Sequence, residues 1–256
     1  MITDYSAIPT TFLATTADVI RYRTQSLLWL AAIYLHTVVV LIGLLPPWSL
    51  VLSMVVFVVR WMLSTHELLH LRSACEVDPI TRLLPLLLTP LQLGYREYRI
   101  IHLRHHRYMA TPQDPEYFQL RGGKLRGFIN AMSAPEQSYF RWIAQQGLDA
   151  QLLRGTLMRL VLFLALVGAS GLTFFWYWVP LRLAYGVSYF SFFYCLHRRG
   201  EAYGVYPQKF SPGTARLFVL LFGRDSLMAT CHHDIHHAHP HIAARHLAAT
   251  RNVLLR

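Results

Sequence analysis

The chain has 256 residues, of which 54% are hydrophobic and 14% are charged, and its formal net charge is +11. Its mean hydropathy of +0.32 is too high for an ordinary soluble domain, and the apolar residues occur in runs. The composition therefore excludes a typical soluble protein and predicts an integral membrane protein.

Four apolar runs approach the length of about 20 residues that a helix needs to cross a bilayer. They cover residues 26–45, 48–65, 160–179 and 181–197. Pro46 and Pro47 separate the first two runs and Pro180 separates the last two, so each pair is predicted to form a helical hairpin with a short turn. Two shorter apolar stretches, 80–93 and 217–223, are predicted to be interfacial or re-entrant segments.

The positions of the basic residues predict the orientation of these helices. Arg21 and Arg23 precede the first run, many Arg and Lys residues lie between 72 and 159, and more follow from Arg198 onward. Cytoplasmic flanks of membrane helices are enriched in Lys and Arg. We therefore expect both termini and the middle segment to face the cytoplasm. The first residues lack the pattern of a cleavable signal, so the first span is expected to direct insertion.

The excess of positive charge has two interpretations. A basic cytoplasmic surface binds anionic lipid headgroups, and it also attracts an acidic electron-carrier protein. The sequence contains no recognisable nucleic-acid-binding module, so no nucleic-acid partner is expected. Cys75, Cys195 and Cys231 show no paired spacing, which indicates reduced thiols and no disulfide framework.

Most of the 14 histidines lie in three clusters, with the sequences HELLH, HLRHH and CHHDIHHAHPH. Residues three or four apart share one face of a helix, so each cluster is a candidate set of metal ligands. Neighbouring histidines point about 100° apart on a helix, so the twins His105–His106 and His236–His237 fit two neighbouring metals better than one.

The clusters are also placed where they can meet. His66 lies at the cytoplasmic end of the second predicted span and His197 at the same end of the fourth, and the other histidines lie in cytoplasmic segments. Ionisable residues at a membrane face are costly and are usually functional. The predicted fold is therefore an all-α membrane protein, a single domain over 1–256, with four spans in two hairpins. A cytoplasmic helical cap would carry a histidine-rich dimetal site.

Two other classes of protein share some of these features. HELLH matches the HExxH motif of zinc proteases, with Glu67 as the general base, but that motif does not require two further clusters. A zinc or other metal transporter also combines spans with histidines, but transporters usually place their ligands at the bilayer midplane. Imidazole binds iron, zinc and copper, and carboxylates are scarce near the clusters.

The arrangement HxxxH, HxxHH, HxxHH around two membrane hairpins resembles the membrane fatty acid desaturase and hydroxylase superfamily. The resemblance implies two iron ions, dioxygen as co-substrate and oxidation of C–H bonds in a lipid chain. It also implies nine metal ligands. These are His66, His70, His102, His105, His106, His197, His233, His236 and His237.

The motifs do not agree on one subfamily. HLRHHRYMATPQDPEY and HDIHHAHP are similar to the corresponding motifs of membrane alkane hydroxylases, and Tyr194 with His197 matches a further feature of those enzymes. Carotenoid ketolases and compact acyl desaturases are closer in length. The predicted function is fatty acyl desaturation or a related decarboxylation, and the alternative is hydroxylation or ketolation of alkanes, fatty acids or carotenoids.

The remaining expectations concern electrons, substrate and the other histidines. Because the chain shows no nucleotide, flavin, haem or iron–sulfur motif, an external ferredoxin or rubredoxin-like donor is expected. Aromatic residues of the later spans are predicted to line a substrate channel or to form an interface belt. These are Phe174, Phe175, Trp176 and Tyr189. His232, His239, His241 and His246 are candidates for orienting the ligands, or for solvated loop positions, and His36 is expected to pack between helices.

Overall fold

The computed structural model of the chain describes residues 8–70, 89–109 and 111–254. The described part is almost entirely helical, with one antiparallel pair of two-residue strands, β1 (Arg198–Arg199) and β2 (Ala202–Tyr203). Cys75 and most of the predicted interfacial stretch 80–93 lie outside the described residues.

The α-helices differ widely in length, and a π-helix interrupts the last long one. They are α1 (Thr16–Leu41), α2 (Trp48–Leu69), α3 (Tyr95–Tyr108), α4 (Lys124–Met132), α5 (Ala134–Gln146), α6 (Ala150–Ser170), α7 (Phe175–Tyr189), α8 (Pro212–Phe222), α9 (Arg224–Cys231), α10 (His233–Ala238) and α11 (Leu247–Leu254). After α7 the chain continues without a break through the π-helix Phe190–Tyr194 and a last turn, Cys195–His197.

Within the described residues, three helical segments are long and apolar enough to cross a membrane. They are Thr16–Leu41, Trp48–Leu69 and the 48-residue segment Ala150–His197. The chain is thus an all-α membrane protein. At 1.5 Å per residue the third segment would be about 72 Å long if straight, more than twice a hydrocarbon core of about 30 Å. Four spans in two hairpins therefore stay a prediction.

The predicted boundary inside this third segment was wrong. Pro180 lies within α7, and the interruption is the 3₁₀ turn Gly171–Phe174. Gly171 ends α6 with φ of +54°, a conformation that glycine adopts without steric cost. Proline is tolerated inside membrane helices because neighbouring groups satisfy the freed carbonyl. The predicted third span, 160–179, consequently runs across the turn.

α1, α2 and α7 form the main hydrophobic core. Ile33 of α1, Met54 of α2 and Leu181 of α7 are completely or almost completely buried in one cluster. The opposite faces of α1 and α6 expose large apolar side chains, such as Leu35 and Val161. An exposed apolar surface of this kind is expected to face lipid, because apolar side chains are exposed to hydrocarbon without a cost in free energy.

The segment between the long helices folds back onto α7. α4 packs so closely against the π-helix after α7 that a Cβ on Gly127 would lie 2.5 Å from the Tyr194 ring. Arg182 lies half-way along α7 and makes a bidentate contact with Glu136 of α5 at 2.6 and 2.7 Å. α4 and α5 thus cover one side of the helix that ends at His197.

The two ends of the described chain are joined beside α2. Leu13 forms an antiparallel bridge with Ile242, and Arg245 contacts the fully buried carboxylate of Asp18. The residues that follow α10 are therefore held against the start of α1. The second short apolar stretch, 217–223, falls largely in α8, which is held to α2 because Arg60 donates to two of its backbone carbonyls.

Gly127→Ala should lower the free energy of unfolding by about 1–3 kcal/mol, because the new methyl group overlaps a ring that cannot move without disturbing the π-helix. Thermal unfolding of the purified protein in detergent measures the change. Gly168→Ala is the control, since a Cβ there meets nothing within 4 Å. Equal melting temperatures for both variants would contradict the tight contact.

Candidate metal centre

Four separate elements carry the nine predicted ligands to one place. His66 and His70 lie at the end of α2, three histidines lie on α3, and His197 ends the segment that follows α7. The remaining three lie on α10, a six-residue helix. The structure brings all nine imidazole rings together at the ends of the long helices.

Five of the histidines form one group, with one ring nitrogen from each within 4.8 Å of the others. They are His66, His70, His102, His106 and His236. The Nε2 atom of His70 lies 3.2 Å from that of His66 and 2.9 Å from that of His102. His102 Nε2 in turn lies 3.2 Å from His106 Nε2.

The second group is formed by His105, His197 and His237, and His233 adjoins it. His197 Nε2 lies 3.0 Å from His237 Nε2 and 3.1 Å from His233 Nε2. The twin histidines are divided between the groups, since His105 is in this one and His106 in the other. His237 and His236 are divided in the same way, as two neighbouring metals would require.

The nitrogen distances fit ligands that share a cation. Two nitrogens bound to one metal at about 2.1 Å lie roughly 3.0–3.4 Å apart in octahedral or tetrahedral geometry. His197 Nδ1–H donates to the Phe193 carbonyl at 2.8 Å, so its Nε2 carries a lone pair toward the site. Within the described residues, the buried Nε2 of His236 has no hydrogen-bond partner. A metal ion would satisfy both atoms.

The protonation of these rings also suits metal binding. Burial, followed by repulsion from neighbouring imidazoles, lowers the pKa of His70, His102 and His106 well below the usual value. The same causes lower the pKa of His233, His236 and His237. Neutral imidazole is the ligand form, so these six rings are ready to bind a metal at neutral pH.

Two carboxylates lie behind α3, and one of them, Asp114, is within hydrogen-bonding distance of a histidine. His105 Nδ1 lies 2.9 Å from Asp114 Oδ2, while the other oxygen of Asp114 accepts the Glu116 amide at 2.8 Å. Burial lowers the pKa of His105, but the Asp114 carboxylate outweighs it, so the net shift is upward. Glu116 Oε2 lies 3.7 Å from His102 Nδ1, and burial raises the pKa of Glu116 to about 7.

These carboxylates were not among the predicted site residues, although a signal was present. Asp114 and Glu116 follow the HLRHH cluster within ten residues, and a carboxylate behind a ligating histidine fixes the tautomer and orientation of the ring. The turn that follows α3 brings both carboxylates back against the histidines of α3. Sequence spacing alone could not show that return.

The other histidines have separate contacts. His241, a candidate orienting residue, lies with Nδ1 2.6 Å from the His70 carbonyl at the end of α2. His246 stacks on Phe12, and His232 accepts a hydrogen bond from Arg251. His36 lies between α1 and α2 as expected, bridging Ser49 and Ser53 at 2.9 and 2.6 Å.

A cavity of about 110 Å³ extends from the imidazoles between α2, α3, α5 and α7. Its wall is mainly apolar and aromatic, with Met62, Leu93 and Phe192 among its residues. Of the four aromatic residues predicted to line a channel, Tyr189 does so, whereas Phe175 and Trp176 are exposed on the outside of α7.

Fold and site together define an α-helical membrane protein with an apolar cavity that ends at two groups of histidines able to hold metal ions. The family model described as fatty acid desaturase matches residues 42–256, and the chain belongs to this family. The resemblance inferred from the three motifs is therefore confirmed. No curated protein and no solved structure matches the chain.

Asp114→Asn should weaken metal binding by about 10–100-fold, because His105 loses the charged group that orients its ring. Equilibrium dialysis of the metal-free protein against Fe²⁺ under anaerobic conditions measures this affinity. Glu201→Gln is the control, since that carboxylate is 94% exposed and pairs with Arg198 rather than with an imidazole. If the Asp114→Asn variant bound Fe²⁺ with wild-type affinity, the Asp114 carboxylate would have no role in metal binding.

Proposed function

We propose that this protein is a non-haem diiron oxidoreductase that uses dioxygen to oxidise an aliphatic lipid chain. Fatty acyl desaturation or a related decarboxylation is the primary reaction proposed. The observation that carries the proposal is the division of nine imidazoles into two adjacent groups at the end of one apolar cavity. Membership of the fatty acid desaturase family supports the same chemistry.

The two groups would each hold one iron. His66, His70, His102, His106 and His236 would bind the first, and His105, His197, His233 and His237 the second. When bound, the irons would supply the redox chemistry that activates dioxygen and removes hydrogen from an unactivated carbon. The protein contributes ligand orientation through Asp114, a cavity that excludes water, and a wall that positions the chain.

Hydroxylation or ketolation of alkanes, fatty acids or carotenoids is the alternative reaction of the same site. Product analysis by mass spectrometry separates the alternatives, because desaturation removes two hydrogens and hydroxylation adds one oxygen. A zinc protease fits less well, since Glu67 borders a different pocket from the histidine cavity. Metal transport is also disfavoured, because the histidines lie at helix ends rather than within broken helices.

Electrons are proposed to arrive from an external ferredoxin or rubredoxin-like protein on the cytoplasmic side. Arg104 and Arg107 are exposed on α3, the helix that carries three of the proposed ligands on its buried face. Exposed positive charge beside the site would attract an acidic carrier and increase its rate of association. The same surface would contact the anionic lipid headgroups of the cytoplasmic leaflet. The proposed orientation therefore has this surface and both termini on the cytoplasmic side.

Purified protein should contain about two iron ions per chain, because nine imidazoles exceed the four ligands of a zinc site. Elemental analysis after expression in iron-supplemented medium measures the content. One zinc ion per chain and no iron would contradict the diiron proposal directly.

His102→Ala, His106→Ala and His236→Ala should each lower turnover by more than about 100-fold and should lower bound iron, because each removes a ligand. Membrane insertion should be unchanged, since these side chains do not face lipid. His36→Ala is the matched control, an imidazole that bridges α1 and α2 away from the cluster. Full activity in all three variants would show that the ligands are misassigned.

His197→Ala tests the ligand that lies outside the three sequence clusters. Because His197 Nε2 faces two other imidazoles at 3.0 and 3.1 Å, its loss should reduce iron per chain and product formation together. Both quantities are measured on the same preparation with dioxygen and an external reductant. Normal iron and normal product would exclude His197 from the centre.

A further inference from the structure

The contacts of α4 with α7 and the following π-helix fix its position along this membrane segment. A Cβ on Gly127 would lie 2.5 Å from the Tyr194 ring, and a Cβ on Gly186 would lie 2.7 Å from the Phe128 ring and 2.8 Å from Met132 Cγ. Tyr194 and Gly186 are roughly 12 Å apart along the axis, and the nine residues of α4 cover a similar length. α4 therefore runs antiparallel to α7, away from the metal centre.

This direction brings the junction of α4 and α5 to a level well inside the bilayer. Gly186 precedes His197 by roughly 16 Å along the axis, and Arg182, which pairs with Glu136 of α5, lies one turn further away. The helix between the turn Gly171–Phe174 and His197 is roughly 34 Å long, whereas a hydrocarbon core is about 30 Å thick. If the turn lies at one membrane face, as four spans require, the junction lies near the middle of the bilayer.

The charges in this part of the sequence fit a membrane position. Residues 127–140 contain one charged residue, Glu136, and basic residues adjoin both ends of the stretch, at Arg126 and Arg141. Both oxygens of Glu136 pair with Arg182 at 2.6 and 2.7 Å. Charges within a membrane occur almost always in pairs of this kind. The stretch would therefore bring no unpaired charge into hydrocarbon.

The break between α4 and α5 is bonded within the protein. Ser133 Oγ donates to the Ile129 carbonyl at 3.2 Å, and Arg182 donates to the Met132 carbonyl at 3.2 Å. Gln137 donates to Ser133 Oγ at 2.8 Å and so holds the hydroxyl in place. Water can satisfy the carbonyls of a turn in solution, whereas an irregular turn at membrane depth needs partners from the protein. The break meets this requirement.

The outer face of α4 is apolar and exposed. Leu125 is 76% exposed and Ile129 is 54% exposed. The exposed basic residues Lys124 and Arg126 lie in the first turn, at the end nearer to the metal centre. Positive charge at the level of the headgroups, with apolar side chains beyond it, is the pattern of a segment that contacts lipid. Lipid is therefore the partner that fits this face.

We propose that α4 and α5 form a re-entrant hairpin, which enters the membrane from the side of the metal centre and turns near the middle of the bilayer beside α7. The hairpin is thus an exception to the cytoplasmic position predicted for the middle segment. Pro135 and Ser138 of α5 line the histidine cavity, so the hairpin separates this cavity from the lipid. The proposal does not depend on the oxidation chemistry, and a protein without iron or activity would still test it.

Photo-crosslinking of the wild-type protein tests the depth of the hairpin without any substitution. The protein in nanodiscs is irradiated with a phosphatidylcholine that carries a diazirine at the end of one acyl chain, and adducts are located by mass spectrometry. We expect adducts in 127–140 and on α6, because the chain ends concentrate near the bilayer centre. Adducts on α6 with none in 127–140 would overturn the proposal, and so would equal labelling of 127–140 and the β1–β2 hairpin.

Fluorescence quenching then measures the depth of single side chains. Bimane is attached to Ile129→Cys, Leu125→Cys or Glu201→Cys, each in a background without the three native cysteines, in bilayers of lipids with brominated acyl chains. Ile129→Cys should be quenched at least about fivefold more strongly than the water-exposed control Glu201→Cys, because bromine lies in the hydrocarbon. Leu125→Cys should be intermediate, since it lies roughly 6 Å nearer to the start of α4. Equal quenching at Ile129→Cys and Glu201→Cys would contradict the re-entrant position, and the wild-type adducts decide the matter if a labelled variant unfolds.

Discussion

Imidazole nitrogens that face one another at 2.9–3.2 Å are the constraint on which the rest of the structure depends. Lone pairs at that distance repel unless a cation lies between them, and burial removes the water that would otherwise screen them. The fold must therefore hold the rings in place by other contacts. His197 is fixed by the Phe193 carbonyl and His105 by Asp114, so the ring orientations are set from behind the site.

The same requirement explains why the ends of the chain are joined beside α2. His241 contacts the carbonyl of His70, and the residues around it are anchored by the bridge from Leu13 to Ile242 and by the contact of Arg245 with Asp18. α10 is only six residues long and cannot hold three ligands by its own stability. Its position depends on these tertiary contacts, which link the third histidine cluster to the first.

The sequence was sufficient for the membrane class, the family and the nine histidines that converge, because apolar runs and ligand spacing are local patterns. It was insufficient where the outcome depended on packing. Pro180 is a strong turn signal, yet α7 continues through it and the break falls at Gly171. Arg182 stands in an apolar run, and only the fold shows that it pairs with Glu136, which lies 46 residues away in the sequence. Asp114 was missed as an orienting group because only the folded turn shows which ring it faces.

The π-helix before His197 completes this argument. Residues Phe190–Tyr194 form i→i+5 hydrogen bonds, one residue longer than those of an α-helix, which rotates every later side chain about the axis. His197, the proposed ligand outside the three clusters, follows it by three residues and is nearly completely buried against His233 and His237. A regular α-helix of the same length would direct that ring about 100° away from its present direction. Because of this irregular winding, Tyr185 and Phe193 both line the cavity while the His197 ring still points into the metal centre.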